Sequence, residues 1–370
     1  PVVLMAHYDV VSASGGEWAS PPFAAEIREG AVWARGAVDT KCILAAVLEA
    51  FTHLLQAGFA PEGDIYFAST NNEETGGDTT PKMVEWFRER GIAPRLVLDE
   101  GGAVVSNLPL GVQKPFAMVG VGEKGIADVL LTAHGAGGHS STPCAQNAPA
   151  RLVRALHRIE TRPAKAALPP ELREMLTALA AHASFGYRLV FANLWLFAPL
   201  VKRVLAAGPE TNAMVRTTSA LTQLAGSDTI NTLPKTATAG FSVRVAAGDS
   251  VNAAVQRLKK AAGGEGLEFT VAHRVEPPPV SGFSTPEFKL IAAVAQSVYP
   301  EAGVAPYVMN GGTDSKHFSE ICGNVYRFGG FALTTAERQS IHAANERLPL
   351  GSYYKGIAFY IQLIRALNTL

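Results

Sequence analysis

The sequence predicts an α/β protein, a largely parallel sheet flanked by helices and interrupted by an inserted α+β module. Three observations carry this. Short apolar runs alternate with helix-period runs early in the chain, the texture changes after "AMVGVGEKG", and the α/β texture returns from "STPEFKLIAAVAQSVYP" to "YKGIAFYIQLIRALNTL". A chain of 370 residues is also too long for one ordinary core, so two domains are expected. The expected division gives residues 1–121 and 280–370 to the α/β domain and 122–279 to the module.

The elements follow in order. "PVVLMAHY", "DIYFAST" and "PRLVLDE" are short apolar runs of the kind that form buried strands. Between them, "TKCILAAVLEAFTHLLQAG" spaces its apolar residues as a helix does and stops at Gly58, and "KMVEWFRERG" is a second helix. This order is that of an open parallel sheet, whose sites form where strands end. Within the module, "IADVLLTAHG" and "TATAGFSVRV" read as amphipathic strands. A long helical stretch from Ala148 to Leu205, broken near "ALPPEL", lies between them, and "SVNAAVQRLKKAAG" is a further helix.

Composition narrows the function. The 32 basic and 32 acidic side chains cancel, so no net field recruits nucleic acid or an anionic membrane. Cys42, Cys144 and Cys322 are far apart and form no C-x-x-C pair, which argues against a disulfide framework and against a thiolate zinc site. The most apolar run, "LVFANLWLFAPLV", is short for a bilayer span and is interrupted by Asn193 and Pro199, so a buried or interface helix is expected. The chain opens directly on a strand pattern with no initiator Met and no charged leader. A leading segment is therefore expected to be missing, and the compartment (cytoplasmic, periplasmic or secreted) stays open.

The chemistry-bearing residues fall at predicted strand ends and loops. In "AHYDVV", His7 and Asp9 are two residues apart, on one face of the pleat if the strand persists. One could bind a metal while the other holds the second imidazole N–H, although a core histidine reads the same way. Asp39 in "GAVDTK" sits before a helix and could cap it or bridge two cations there. In "NNEETGG", the adjacent Glu73 and Glu74 repel each other. One carboxylate on a cation and the other taking a proton from water would make that repulsion useful, by raising the proton affinity of the second. A solvated acidic loop is the plain alternative. Asp99 and Glu100 repeat the pattern in "LDEGG", and His342 lies in a polar loop near the end. Nitrogen and oxygen donors without thiolate suit a catalytic zinc pair, with Mn or Co as alternatives.

The ordered set "AHYDVV", "GAVDTK", "NNEETGG", "LDEGG", "GGHSSTP", "NGGTDSKHF" and "IHAANERLPL" spans His7 to Arg347. It resembles the co-catalytic zinc peptidases that include aminoacylase, carboxypeptidase S, carboxypeptidase G and succinyl-diaminopimelate desuccinylase. "GGTDSKHF", "VYRFGGF" and "IHAANERL" are most like the carboxypeptidase S branch. The resemblance implies that His7 binds one zinc, Asp39 bridges both, Glu74 binds the other and His342 completes it, with Glu100, or Asp99 after a one-residue shift, as the remaining ligand. It implies Glu73 as general base and a cis peptide after Asp39. It makes the inserted module a lid and dimerisation domain that supplies His139 to the oxyanion, often across a homodimer interface. Arg244 matches the lid arginine that clamps substrate carboxylates, and Asn231 with Gly311, Gly312 and Thr313 are further substrate-positioning candidates.

The expected activity is hydrolysis of the amide of an N-acyl amino acid, or of a peptide's C-terminal residue, in substrates with a free carboxylate. A dipeptidase or deacetylase of the same family is the nearest alternative, and a catalytically inactive metal-binding protein is an alternative of another class. The module is longer than the usual lid, chiefly through "SFGYRLVFANLWLFAPLVKRVL". Its apolar side chains could cover the site, join a dimer interface, receive an acyl chain or simply pack in a core.

Overall fold

A computed structural model describes residues 1–108 and 111–369. The chain forms two compact units: Pro1–Gly122, Pro170–Phe197 and Val280 onward make the first, and Glu123–Pro169 with Ala198–Pro279 the second. The stretch 170–197, placed in the inserted module by the sequence reading, groups with the first unit. Packing is the reason. The helix Pro170–Ala180 buries Leu172, Met175, Leu176 and Leu179 and lies along the strand Gly303–Met309, and the His182 ring follows at 5.7 Å from that of Phe116.

The main sheet of the first unit runs Ala332–Leu333, Val104–Val105, Phe116–Glu123, Val325–Arg327, Leu96–Asp99, Val2–His7, Ile65–Thr70, with Gly303–Met309 also paired to Phe116–Glu123. The last four of that series are parallel neighbours, whereas Phe116–Glu123 enters antiparallel. Every residue of Val2–His7 is buried, as expected of a parallel strand covered on both faces. Val3 and Met5 pack with Val84 and Phe87 of the helix Thr79–Glu89. The helix Lys41–Gln56 packs on the same strand and against the helix Leu350–Ala366.

This register sets up the site. His7 pairs with Thr70, and Leu4 with Leu98, so three adjacent parallel strands end close together at their carboxyl edge. The loops that follow carry Asp9, the Glu73–Glu74 pair and Glu100. A small antiparallel sheet of Glu26–Arg28, Ala31–Trp33 and Arg347–Pro349 draws the loop after Trp33 toward the loop holding His342.

The second unit is a four-stranded antiparallel sheet in the order Thr218–Ala225, Thr236–Val245, Gly125–His134, Leu267–Val275. The helices Ala148–Glu160 and Val251–Ala262 cover one face, where Leu152, Leu156, Ile159, Val255 and Leu258 pack with Val129, Leu131, Phe241 and Val243. Burying each such side chain is worth about 1.5–3 kcal/mol. The alternate residues Asp128, Leu130 and His134 are exposed, the period-two pattern anticipated for this strand.

Candidate metal centre

His7 closes its strand with the ring held from behind. Its Nδ1 lies 2.9 Å from the Asp9 carbonyl oxygen and 3.4 Å from Asp9 Oδ1. Nδ1 therefore carries a proton, and Nε2 faces the carboxylates, 3.0 Å from Asp39 Oδ1 and 3.3 Å from Glu100 Oε1. Asp39 presents its second oxygen, Oδ2, to His342 Nε2 at 3.0 Å, and His342 Nε2 is 3.2 Å from Glu74 Oε2. Two donor trios result, His7–Asp39–Glu100 and Asp39–Glu74–His342, each with its ligand atoms within 4.8 Å of one another. They share Asp39, one oxygen to each.

Asp39 does not cap the following helix: the cap position is Thr40, and the Asp39–Thr40 peptide is cis. What holds the Asp39 loop is Glu346, which is fully buried. Its Oε1 accepts the Val38 and Asp39 backbone N–H groups at 2.8 and 3.0 Å, and its Oε2 accepts Gly36 N–H at 2.9 Å and Arg35 Nη1 at 2.8 Å. One carboxylate four residues after His342 thus fixes the segment carrying Asp39. The sequence reading missed it; the available signal was a glutamate inside "IHAANERLPL" with no role assigned.

The Glu73–Glu74 turn is tied to the His7 loop by Asp9, whose carboxylate accepts Glu73 N–H at 3.3 Å and Glu74 N–H at 3.1 Å. Asp9 therefore organises both sides of the site. The two glycines behind the pair are needed by the turn. Gly76 has φ +63°, and a Cβ on Gly77 would lie 1.9 Å from the Asn72 side chain. Asp99, the alternative to Glu100, is buried and turned away, its Oδ2 accepting Ser315 N–H at 3.0 Å.

The electrostatics call for a cation. Burial by itself would lower the His7 imidazole, yet Asp39 and then Glu100 raise it to about 12. Burial, then Asp39, raises the carboxyls of Glu74 and Glu100. Burial is also the main reason Glu73 is pushed up to about 8, with Asp314 and Asp99 adding to it against His7. Glu74 Oε1 is buried without a hydrogen-bond partner. An orphaned carboxylate oxygen beside imidazole nitrogens aimed at carboxylates is a donor set that fits divalent cations preferring N and O ligands. A cavity of about 350 Å³ opens over the centre, lined by Asp39, Glu73, Glu74, Glu100 and His342 and also by Gly311, Gly312 and Thr313.

The remaining candidates lie in the second unit. His139 is exposed and sits opposite Thr232 in a short two-stranded ladder, and Ser140 N–H donates to the Asn231 carbonyl at 3.1 Å, so His139 and Asn231 are neighbours. His139 Nδ1 accepts Ser141 N–H at 3.1 Å, which places the ring proton on Nε2. Arg244 is not beside them. It lies eight residues beyond Thr236 on the strand Thr236–Val245, roughly 26 Å at about 3.3 Å per residue. Cys42, Cys144 and Cys322 are all free, as expected.

An α/β sheet that gathers two carboxylate–histidine trios around a shared aspartate, with a further half-buried carboxyl alongside, defines a metal-dependent hydrolase. The chain belongs to the peptidase family M20/M25/M40, whose family model matches residues 3–366. Over 99% of its length it is 34% identical to a probable carboxypeptidase S-like protein of Dictyostelium discoideum, covering 71% of that protein. It is also 34% identical, over all of its length and 73% of the relative's, to the N-fatty-acyl-amino acid synthase/hydrolase PM20D1 of Xenopus tropicalis. Its fold matches the crystal structure of an M20 family metallo-carboxypeptidase from Sulfolobus solfataricus with a TM-score of 0.71 at 20% identity, covering 100% of this chain and 85% of that one. Among the described residues no helix is long and apolar enough to cross a membrane.

Proposed function

We propose that this hydrolase cleaves the amide bond joining an acyl group to an amino acid with a free carboxylate, either an N-acyl amino acid or the C-terminal residue of a small peptide. The observation that carries the reading is the pair of donor trios sharing Asp39, with the Glu73 carboxyl on the wall of the same cavity. His7, Asp39 and Glu100 would hold one zinc, and Asp39, Glu74 and His342 the other. When bound, the ions would polarise the scissile carbonyl and acidify a water.

The protein's own groups do the rest. Glu73, whose burial favours holding a proton, takes one from the attacking water and passes it to the departing amine nitrogen. His139, with its proton on Nε2, would donate to the developing oxyanion from the second unit of a dimer partner, with its neighbour Asn231 positioning the substrate, since Arg244 of the same unit lies roughly 26 Å along its strand at about 3.3 Å per residue. Arg244 pairs with the substrate carboxylate, and the Gly311–Gly312–Thr313 turn positions the substrate. The names of the two relatives support both acyl-amino-acid and peptide substrates. Phe185, Leu189, Trp195 and Leu196, all exposed, favour a long apolar acyl chain.

The test is zinc content per chain together with turnover of a panel of N-acyl amino acids and dipeptides, each as the free acid and as the amide. Two zinc ions per chain and cleavage confined to free acids are expected. A zinc-loaded chain that hydrolyses none of them overturns the reading, and cleavage that depends on a free amino terminus instead would mark an aminopeptidase.

A further inference from the structure

We propose that Asn345 is a positioning residue for the donor trio that His342 completes. Its side chain fastens residues 16–19 across the turn carrying His342, and the fastened turn, rather than a bond to the imidazole, aims the ring at Asp39 and Glu74. That this trio holds a cation rests on the function proposed above.

The two histidines of the centre are held in different ways. His7 is buried, and the Asp9 carbonyl oxygen meets its Nδ1 at 2.9 Å, so its ring is fixed from behind. The His342 side chain is 52% exposed, and among the described residues no hydrogen bond reaches its Nδ1. Its backbone stands in the left-handed region, at φ +61°. That conformation is uncommon for a non-glycine residue and persists only where the surroundings hold it. A ring with no bond behind it takes its direction from the turn.

Asn345 supplies the hold. It is left-handed too, at φ +64°, a conformation that asparagine adopts more readily than most side chains. Its Oδ1 accepts the Ala19 backbone N–H at 2.7 Å, and its Nδ2 donates to the Glu17 carbonyl oxygen at 3.1 Å. One side-chain amide thus grips a segment 326 residues away in the chain by both a donor and an acceptor. The segment lies directly on the turn: Gly16 has φ +78°, and a Cβ there would be 2.8 Å from that of Ala344. Trp18 pins the segment from its other side, its Nε1 donating to the Ala13 carbonyl oxygen at 3.1 Å and its ring 5.2 Å from the Arg35 guanidinium. Arg35 is the partner of Glu346, so Asn345 and the residue after it join the segments carrying His342 and Asp39 in one network. An asparagine that served only its own turn would need no partner outside it, because the turn asks for φ > 0 and nothing more.

Zinc titration of the full chain against a competing chelator tests this, with His342→Ala marking which of the bound ions belongs to the His342 trio. Asn345→Gly keeps the left-handed turn and removes the amide, so it separates the fastening from backbone strain, and circular dichroism checks its fold. It should weaken the marked ion by about 10–100-fold and leave the other close to parental. Asn345→Asp keeps the acceptor for the Ala19 N–H and should recover part of that loss. Hydrogen exchange gives a readout without turnover: saturating zinc should slow the amides of residues 16–19 in the parent and not in Asn345→Gly. Parental zinc affinities in Asn345→Gly, with or without lowered stability, overturn the positioning role. Equal weakening of both ions overturns it as well, since that marks a general loosening. Selective loss of the marked ion in a chain that hydrolyses no N-acyl amino acid supports the positioning role while refuting the proposed function.

Discussion

At the scale of single residues, the proposed function divides the site into groups that would hold cations and one that would move a proton. Glu73 contributes to neither donor trio, and its environment favours the neutral form. Glu73→Gln should therefore lower kcat by about 10²–10⁴-fold with the metal content unchanged, whereas Glu74→Ala should lose metal. Metal analysis beside kinetics separates the two, and near-parental turnover in Glu73→Gln would sink the base assignment. Glu346 makes a different kind of contribution. It belongs to neither trio, yet it accepts the backbone N–H of Asp39, which belongs to both, and pairs with the buried Arg35. Glu346→Gln removes the charge and strands that guanidinium, which should cost about 3–5 kcal/mol in denaturant unfolding. Metal affinity should fall by about 10–100-fold as Asp39 loosens, and parental affinity with lowered stability would limit Glu346 to a structural part. The contrast also explains what the sequence revealed. His7, Asp39, Glu73, Glu74, Glu100 and His342 stand out only as an ordered set: each alone reads equally as a core histidine, a helix cap or a solvated acidic loop, and the resemblance carried by the whole series singles them out. Glu346 stays silent because its work is backbone hydrogen bonding, which leaves no pattern in side-chain types.

At the scale of elements, strands with an apolar run or a clean alternation were legible and the mostly exposed edge strands of the second sheet were not. Val2–His7 and Leu96–Asp99 are buried and apolar up to their last residue, Ile65–Thr70 opens on an apolar run although it lies at the sheet's edge, and Thr236–Val245 alternates cleanly because helices cover one face. Thr218–Ala225 and Leu267–Val275 lie at the two edges of the second sheet, are mostly exposed and carry register irregularities, so no period marks them. The helical stretch from Ala148 to Leu205 is four helices, and hydropathy alone could not show that Pro170–Ala180 and Phe185–Ala192 group with the first unit. Phe185–Ala192 and the start of Leu194–Leu205 expose Phe185, Leu189, Trp195 and Leu196, which a core-packing role would have buried. If they meet an acyl chain, Phe185→Ser with Trp195→Ser should cut the preference for long-chain over acetyl substrates by about tenfold or more, since each aromatic is worth about 1.5–3 kcal/mol when covered. Stability should change little, because nothing packed is removed. An unchanged chain-length preference, read from kcat/KM across an acyl series, would exclude these helices from substrate binding.

At the scale of the whole molecule, the centre links metal, pH and stability. In the metal-free protein His7 holds its proton up to about 12 against an ordinary 6.5, and Glu73 up to about 8 against 4.5. Both folded-state values are raised, so the folded chain binds more protons than the unfolded one across those windows. The stabilising contribution is complete below the ordinary values and is lost as pH rises toward the folded ones. Lys124, His182 and His317 run the other way, but Lys124 acts chiefly above about 8 and the two histidines only up to their ordinary 6.5, so His7 and Glu73 set the slope between. Between pH 6 and pH 8 the chelated protein should therefore lose stability as pH rises. If the two donor trios are the ligands, metal would replace the His7 proton and neutralise the clustered carboxylates, so the loaded protein should hold its stability across the same range. The gain from metal, about 2.7 kcal/mol at free metal a hundred times Kd, should accordingly grow with pH. Thermal unfolding with chelator and with excess zinc, at pH 6 and again at pH 8, measures it. A gain that is constant or that shrinks toward pH 8 would mean that protons and metal do not compete for His7 and its carboxylates, and the two-trio centre would have to be abandoned as the place where metal binds.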